Sequence, residues 1–367
     1  MQPASVQHRV IQLLGLFLIG LLIYIGQDII IPLGFSFVIA VSLLPVYRLF
    51  KRLRLPDVLA IILSILCGVI VIGAIVFILS LEFSSMLENK DALKANIDKH
   101  IEEIGLWIQD KTGMNLKAQQ AFFKKQMDGA GNNAGGMLAS TATTIGGYLV
   151  WFGLVPIYVF LILFYKNLLV RFIFLASKTE QHDLVEESIR DGESTIKNYL
   201  LGLLIEMLIL AVLVTIVLTL FGIKYAILIG AIFAVLNMIP YLGALIANIL
   251  AILITLSTSA DISDAIWVVV ILAVIQFVDN NFIMPNLVGS KVRINALVTV
   301  MAVIIGQSLA GVGGMFLSIP VVAVMKVIFD KTQSMKHWAV LFGDDNPKLN
   351  ALQYPVMRLR KRIFRED

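Results

Sequence analysis

The chain has 367 residues, of which 59% are hydrophobic and only 15% charged, with a net charge of +4. Its mean hydropathy is +0.89, whereas soluble domains carry ~25% charged residues, so a soluble globular protein is excluded and an all-α integral membrane protein is expected. The lone cysteine, Cys67, lies in an apolar run and allows no intrachain disulfide.

In chain order, Val10–Tyr24 and Ile29–Tyr47 read as two apolar helices joined by a turn at Gly26-Gln27-Asp28. The first run is too long for a cleaved signal, is followed at once by a second, and has no A-x-A-like site behind it. Lys51-Arg52-Leu53-Arg54 is a compact basic loop ahead of a third span, Val58–Leu81. Short basic loops stay in the cytoplasm, which places the N-terminus there too.

Glu82–Thr144 is polar and nearly charge-balanced, and it faces outside by this topology. Ile97, Ile101, Ile104 and Ile108 recur at helical spacing, so one helix face is apolar. Phe122-Phe123 and Met127 suggest a second short helix, and Gly129–Gly136 a loop. The segment is a cap whose stripe packs on its own protein, with a lid or partner surface as the alternative. Thr144–Tyr165 returns inward with a kink expected at Pro156. Lys166–Lys197 reads as an amphipathic inside segment, and Leu200–Phe221 crosses outward carrying Glu206.

Two apolar stretches of similar design follow. Tyr225–Ser257 is interrupted by Asn237-Met238-Ile239-Pro240-Tyr241-Leu242-Gly243, and Asn295–Phe329 by Gly306, Gly311, Gly313 and Gly314. Each arm is ~23–27 Å as a helix, short of a ~30 Å hydrocarbon core. They are either re-entrant hairpins or full spans with tight turns, giving about eight or more membrane helices in total. Between them Ile266–Val288 crosses once, with Asp261 and Asp264 before it and Lys291 and Arg293 after it. The basic tail Arg358-Leu359-Arg360-Lys361-Arg362 also belongs inside, where it faces membrane lipid. An outward crossing with an outward-opening hairpin, then an inward crossing with an inward-opening one, makes an inverted repeat around a midplane site. The organisation expected is residues 1–81 as a three-helix membrane region, 82–143 as the helical extracytoplasmic insert, 144–198 as a fourth span with its cytoplasmic segment, 199–330 as a transport core, and 331–367 as a cytoplasmic tail.

Gln276, Asp279 and Asn280 share a helix face by i, i+3, i+4 spacing, while Asn281 points about 200° away from Asp279. The helix is therefore buried on all sides there, or it unwinds ahead of Pro285; either option puts polar groups beside a protein-lined cavity. Asp279 and Glu206 could lie at similar depth, and buried acids of this kind carry coupled protons or cations. The alternatives are that Asp279 only ties helices together, and that Glu206 pairs with Lys197 or faces a subunit interface. No nucleotide-binding loop, metal constellation or nucleophile–base pattern is present in the sequence. A non-enzyme without cofactor, metal or nucleic-acid partner is expected.

At these residues the chain resembles the autoinducer-2 exporter (AI-2E) family of bacterial permeases. Asn237-Met238-Ile239-Pro240-Tyr241-Leu242-Gly243 is similar to that family's N-x-I-P-Y-x-G. Gln276, Asp279, Asn281, Pro285 and Gly289 are similar to its Q-x-x-E-x-N-x-x-x-P-x-x-x-G, followed by a glycine-broken run ending Ile319-Pro320-Val321. The resemblance covers nearly the whole chain. Asp279 stands where glutamate is common, Ala244 where proline is frequent, and Asn248 where a Pro-Ala pair is common. The resemblance implies a multi-pass, homo-oligomeric permease of the bacterial inner membrane, a pentamer among its forms, exporting a quorum-sensing signal or exchanging sodium for protons. On the permease reading Asn237, Pro240, Tyr241, Gly243, Gln276, Asn280, Asn281, Pro285, Gly289, Gly306, Gly311 and Gly314 line the path of a small polar solute. Asp279 and Glu206 couple it to H+ or Na+. A Na+/H+ antiporter and a non-transporting envelope scaffold are the other two readings.

Overall fold

The computed structural model describes residues 14, 15, 18, 20–112, 153–240, 242–289, 294–332 and 335–343. About half of the helix expected over Val10–Tyr24 lies outside the described residues, as do the second insert helix, the loop Gly129–Gly136, Tyr241, the turn Ser290–Arg293 and the basic tail. Among the described residues every regular element is helical. We label them α1 (Gln27–Arg52), α2 (Asp57–Glu88), α3 (Lys90–Thr112), α4 (Gly153–Phe164), α5 (Lys166–Ala176), α6 (His182–Leu220), α7 (Ala226–Asn237), α8 (Leu242–Thr258), α9 (Ile262–Val278), α10 (Ala296–Lys331) and α11 (Lys336–Phe342). Five helices are long and apolar enough to cross a membrane, or six if the bent pair α4–α5 is one span, and α7 and α8 are shorter apolar helices.

Several expected boundaries differ. The polar insert does not begin where the third span ends, because α2 runs unbroken from Asp57 to Glu88. The bend expected at Pro156 falls at Tyr165 instead, where α4 and α5 meet at 62°. The segment Lys166–Lys197 is not separate from the crossing after it. From His182 onward α6 is one 39-residue helix, ~58 Å long, so its polar N-terminal part projects well beyond a ~30 Å core. No proline or glycine pair interrupts that stretch, so the helix runs on.

The core is built around α6. Leu210, Val214 and Leu218 pack with Ile229, Phe233 and Ala247 of the α7–α8 pair and with Val268 and Leu272 of α9. Tyr199, Leu200 and Leu203, midway along α6, pack with Ile31, Val38 and Val41 of α1 and Leu317 of α10. A third cluster joins α1, α2 and α4 through Ala40, Tyr47, Ala60, Ile61, Val159 and Leu163.

Both glycine- or proline-broken stretches are helical hairpins. In the first, α7 ends at Asn237 and α8 begins at Leu242. A Cβ on Gly243 would collide with the carbonyl of Leu236, so only glycine lets the second arm close on the first. In the second, α10 is two arms meeting at Ala310 (φ −152°, ψ 26°) and Gly311 (φ 56°, ψ −145°). By length and apolarity alone α10 could be a single span. Gly306 and Gly314 would then stand ~12 Å apart, yet a Cβ on either would overlap the backbone carbonyl of the other. The chain therefore reverses at Gly311, a positive φ that favours glycine. The start of α10 is tied to α11: the Asn295 side chain donates to the carbonyls of Leu341, within α11, and Gly343, just after it.

The hairpins sit at opposite ends of α6. The first starts one tight turn after the C-terminal end of α6, at Tyr225. The base of the second is tied to the N-terminal part of α6, where Lys331 pairs with Glu187 at 2.7 Å and Asp191 at 3.0 Å. Met238 at one tip and Ala310 at the other pack against the same cluster around Tyr199 and Leu203.

Candidate functional site

The first hairpin places a polar side chain where the chain must stop being helical. Pro240 has no amide hydrogen and cannot continue α7. The turn is closed by Ile239 N donating to Leu236 O at 2.8 Å and Gly243 N donating to Ile239 O at 3.0 Å. Asn237, the last residue of α7, thereby faces α9, and its Nδ2 donates to Oδ2 of Asp279 at 3.0 Å.

From the other side Gln276 Nε2 donates to the same Oδ2 at 3.3 Å and to Oδ1 of Asn280 at 3.2 Å. Gln276, Asp279 and Asn280 are thus brought together as their spacing predicts. The helix does not unwind ahead of Pro285. It widens into two π-helical segments, Asp279–Ile283 and Pro285–Gly289. A π turn spends an extra residue per turn, loosens the ladder and recurs at functional sites. Asn281 is exposed and turned away, its Nδ2 donating to the carbonyl of Phe277 at 2.8 Å.

Asp279 is 1% exposed and Glu206 is 5% exposed. Glu206 and Asn237 line one narrow crevice with Leu203, Met207, Leu210, Ala234 and Met238, too tight to admit a water-sized sphere. The two acids are therefore neighbours through Asn237. Three acceptors here are buried without a hydrogen-bond partner: Oδ1 of Asp279, Oε1 of Gln276 and Oε2 of Glu206. An orphaned buried polar atom costs ~1–3 kcal/mol, and three acceptors with no donor among them suit a proton, a cation or a donor-bearing solute. The expected alternative partner of Glu206, Lys197, does not satisfy Oε2.

The remaining expected residues fall at the joints around this cluster. Pro240 is half-buried at the first tip and Gly243 is buried behind it. Pro285 opens the second π segment and Gly289 closes it. Gly306 and Gly314 are the crossing point of the second hairpin and Gly311 is its tip. Among the described residues that hairpin gives Asp279 no hydrogen-bond donor; it contributes Phe316, stacked on Phe35 of α1 at 5.3 Å between ring centroids, and Leu317 against Gly34.

One group of residues was not singled out from the sequence. On α3 the isoleucine stripe does not make the docking face: Ile97, Ile101 and Ile104 are all exposed among the described residues. The docked face is Asn96, Lys99 and His100, which reach the end of the first hairpin. Their i, i+3, i+4 spacing was the available signal, masked by the stronger apolar period beside it.

The family model for AI-2E family transporters matches residues 13–334. The "Putative transport protein YrrI" of Bacillus subtilis (strain 168) is 26% identical over 313 residues, spanning 82% of this chain and 86% of the relative. The "Putative transport protein YueF" of the same organism is 24% identical over 305 residues, spanning 78% and 79%. The "AI-2 transport protein TqsA" of Escherichia coli (strain K12) is 24% identical over 342 residues, spanning 92% and 96%. The family model covers most of a chain built of long apolar helices, so this protein is a multi-pass membrane protein that belongs to the AI-2E transporter family.

Proposed function

We propose that the protein is a secondary permease that exports a small polar metabolite or signal, of the chemical kind that AI-2 represents, coupled to a proton or a monovalent cation through Asp279. The observation that carries this reading is the divided environment of that carboxylate. Oδ2 accepts from two amides on two different elements, while Oδ1 is buried and unsatisfied. Charge loaded onto Oδ1 changes how tightly Asp279 holds Asn237, and Asn237 belongs to the tip of a hairpin. Ion occupancy and hairpin position are thereby linked, which is what coupling requires. Asn237, Gln276 and Asn280 offer the solute its hydrogen bonds.

An inverted repeat belongs to this reading. Its units are the crossing part of α6 with α7–α8, and α9 with the two arms of α10, and their hairpins have bases at opposite ends of α6. The bacterial inner membrane, cytoplasmic termini and a homo-oligomer are further parts of it, supported for sidedness by the basic loop Lys51–Arg54 and the acidic positions Asp261 and Asp264. A Na+/H+ antiporter is the second reading, favoured by the three orphaned acceptors, which leave unmet demand for positive charge without any solute.

Uptake of labelled AI-2 into inverted vesicles, with and without proton and sodium gradients, tests both for the wild type and Asp279→Asn. Gradient-driven uptake, lost by more than about a hundredfold in the variant, is the expected result. Sodium-triggered loss of a pH gradient with no AI-2 uptake would replace the permease by the antiporter.

A further inference from the structure

The outer end of the first hairpin is held by a clasp that the transport reading does not use. A helix ends with carbonyls that have no intrahelical partner. At and just beyond the end of α8, three such carbonyls are each capped by a side chain of α3. Asn96 Nδ2 donates to Ser257 O at 3.1 Å, Lys99 Nζ to Ala260 O at 2.7 Å, and the His100 ring meets Ser259 O through Nε2 at 2.9 Å. The hairpin's first arm is fixed from the same side: Tyr225 Oη donates to Ser85 O at 3.3 Å and accepts from Asn89 at 3.4 Å.

His100 is the unusual member. Its side chain is 3% exposed. A carbonyl only accepts, so Nε2 carries the hydrogen, and Nδ1 of the neutral ring presents a lone pair. Nδ1 is buried without a hydrogen-bond partner and lies 3.5 Å from Oε2 of Glu103. Two acceptors thus face each other, and one added proton on Nδ1 turns that opposition into an ion pair. Among the described residues Lys224 lines the pocket beside Ser257 and Ala260, and three further charged groups nearby are engaged. Lys99 meets the second oxygen of Glu103 at 3.5 Å, Asp264 accepts from Ser259 Oγ at 2.5 Å, and Asp261 caps α9 by accepting from Ser263 N at 2.9 Å.

We propose that α3 is a proton-tightened clasp on the first hairpin, in which a proton on Nδ1 of His100 locks Glu103, His100 and the Ser259 carbonyl together. Acid on that face supplies the proton that closes the clasp. Resting on the transport reading, the consequence is that acid there holds the hairpin and slows turnover. The clasp itself is testable without transport.

Hydrogen exchange on the purified full chain, corrected for intrinsic rates, should show the amides of Ser257–Asp264 becoming about fivefold more protected between about pH 8 and pH 5.5. His100→Gln keeps the bond to Ser259 but removes the titration, and should show no such change. Glu103→Gln, at a half-exposed position, leaves the histidine in place and should remove most of it. A pH-independent wild type, or either variant retaining the full pH response, would overturn the proposal. A chain that fails in every uptake assay yet shows the exchange pattern would instead sink the transport reading and leave the clasp standing.

Discussion

The two hairpins solve one geometric problem with opposite chemistry. The first reverses over several residues, ends α7 on an asparagine, and attaches its tip to Asp279 by a hydrogen bond. The second reverses within Ala310–Gly311, brings no side-chain donor to the acid among the described residues, and relies on glycine backbones in contact and on Phe316 and Leu317 fitted against α1. Their bases differ as well, the first capped at its carbonyls by α3, the second tied to α6 by the ion pairs of Lys331. A polar tip can respond to charge at Asp279; an apolar, glycine-crossed tip responds to shape. The hairpins are related in form, but among the described residues only the first puts a side-chain donor on Asp279.

This contrast can be broken from either side. The largest effect is expected at the glycine crossing. Gly314→Leu drives a side chain into the backbone of Gly306, should cost ~1–3 kcal/mol or more, and should abolish transport; a melting curve and an uptake assay measure the two. A melting temperature equal to that of the wild type would mean that the arms are not closed as described. Next is Asn237→Ala, which leaves Oδ2 of Asp279 with its bond from Gln276 and should cost ~1–3 kcal/mol. Transport should fall and lose its gradient dependence with the protein still folded, whereas a purely apolar change at the second tip should lower rate without uncoupling. Smallest is Lys331→Gln, which removes ion pairs to Glu187 and Asp191 at the exposed rim. It should lower the melting temperature slightly at low salt and not at all near 1 M, where screening reaches ~3 Å.

The hairpins were legible in the sequence because their breakers interrupt otherwise apolar runs. Pro240 removes a donor and Gly311 supplies a backbone that other residues avoid, so both leave a local mark. The grouping of Gln276, Asp279 and Asn280 was legible for the same reason, spacing on one helix. Asn237 meeting Asp279 was not, since the partners lie on different elements and only packing brings them together. Proline was a poor guide at position 156: Pro32, Pro45 and Pro320 also lie inside helices, where neighbouring helices can satisfy the freed carbonyls. The widening at Asp279 left no compositional trace that distinguishes it from unwinding. The docking of α3 was not legible because its apolar period is the stronger pattern, while the face that meets the first hairpin works through polar caps to carbonyls.

The length of α6 has a mechanical consequence. Glu206 sits near its middle and Glu187 near its cytoplasmic-facing end on the proposed topology, ~28 Å apart at 1.5 Å per residue. A stiff rod pivoting by ~10° beside Glu206 would sweep the Lys331 anchor sideways by ~5 Å. Small rearrangements around one buried acid are thereby magnified at the membrane rim, where a probe attached beside Asp191 would register them as displacement.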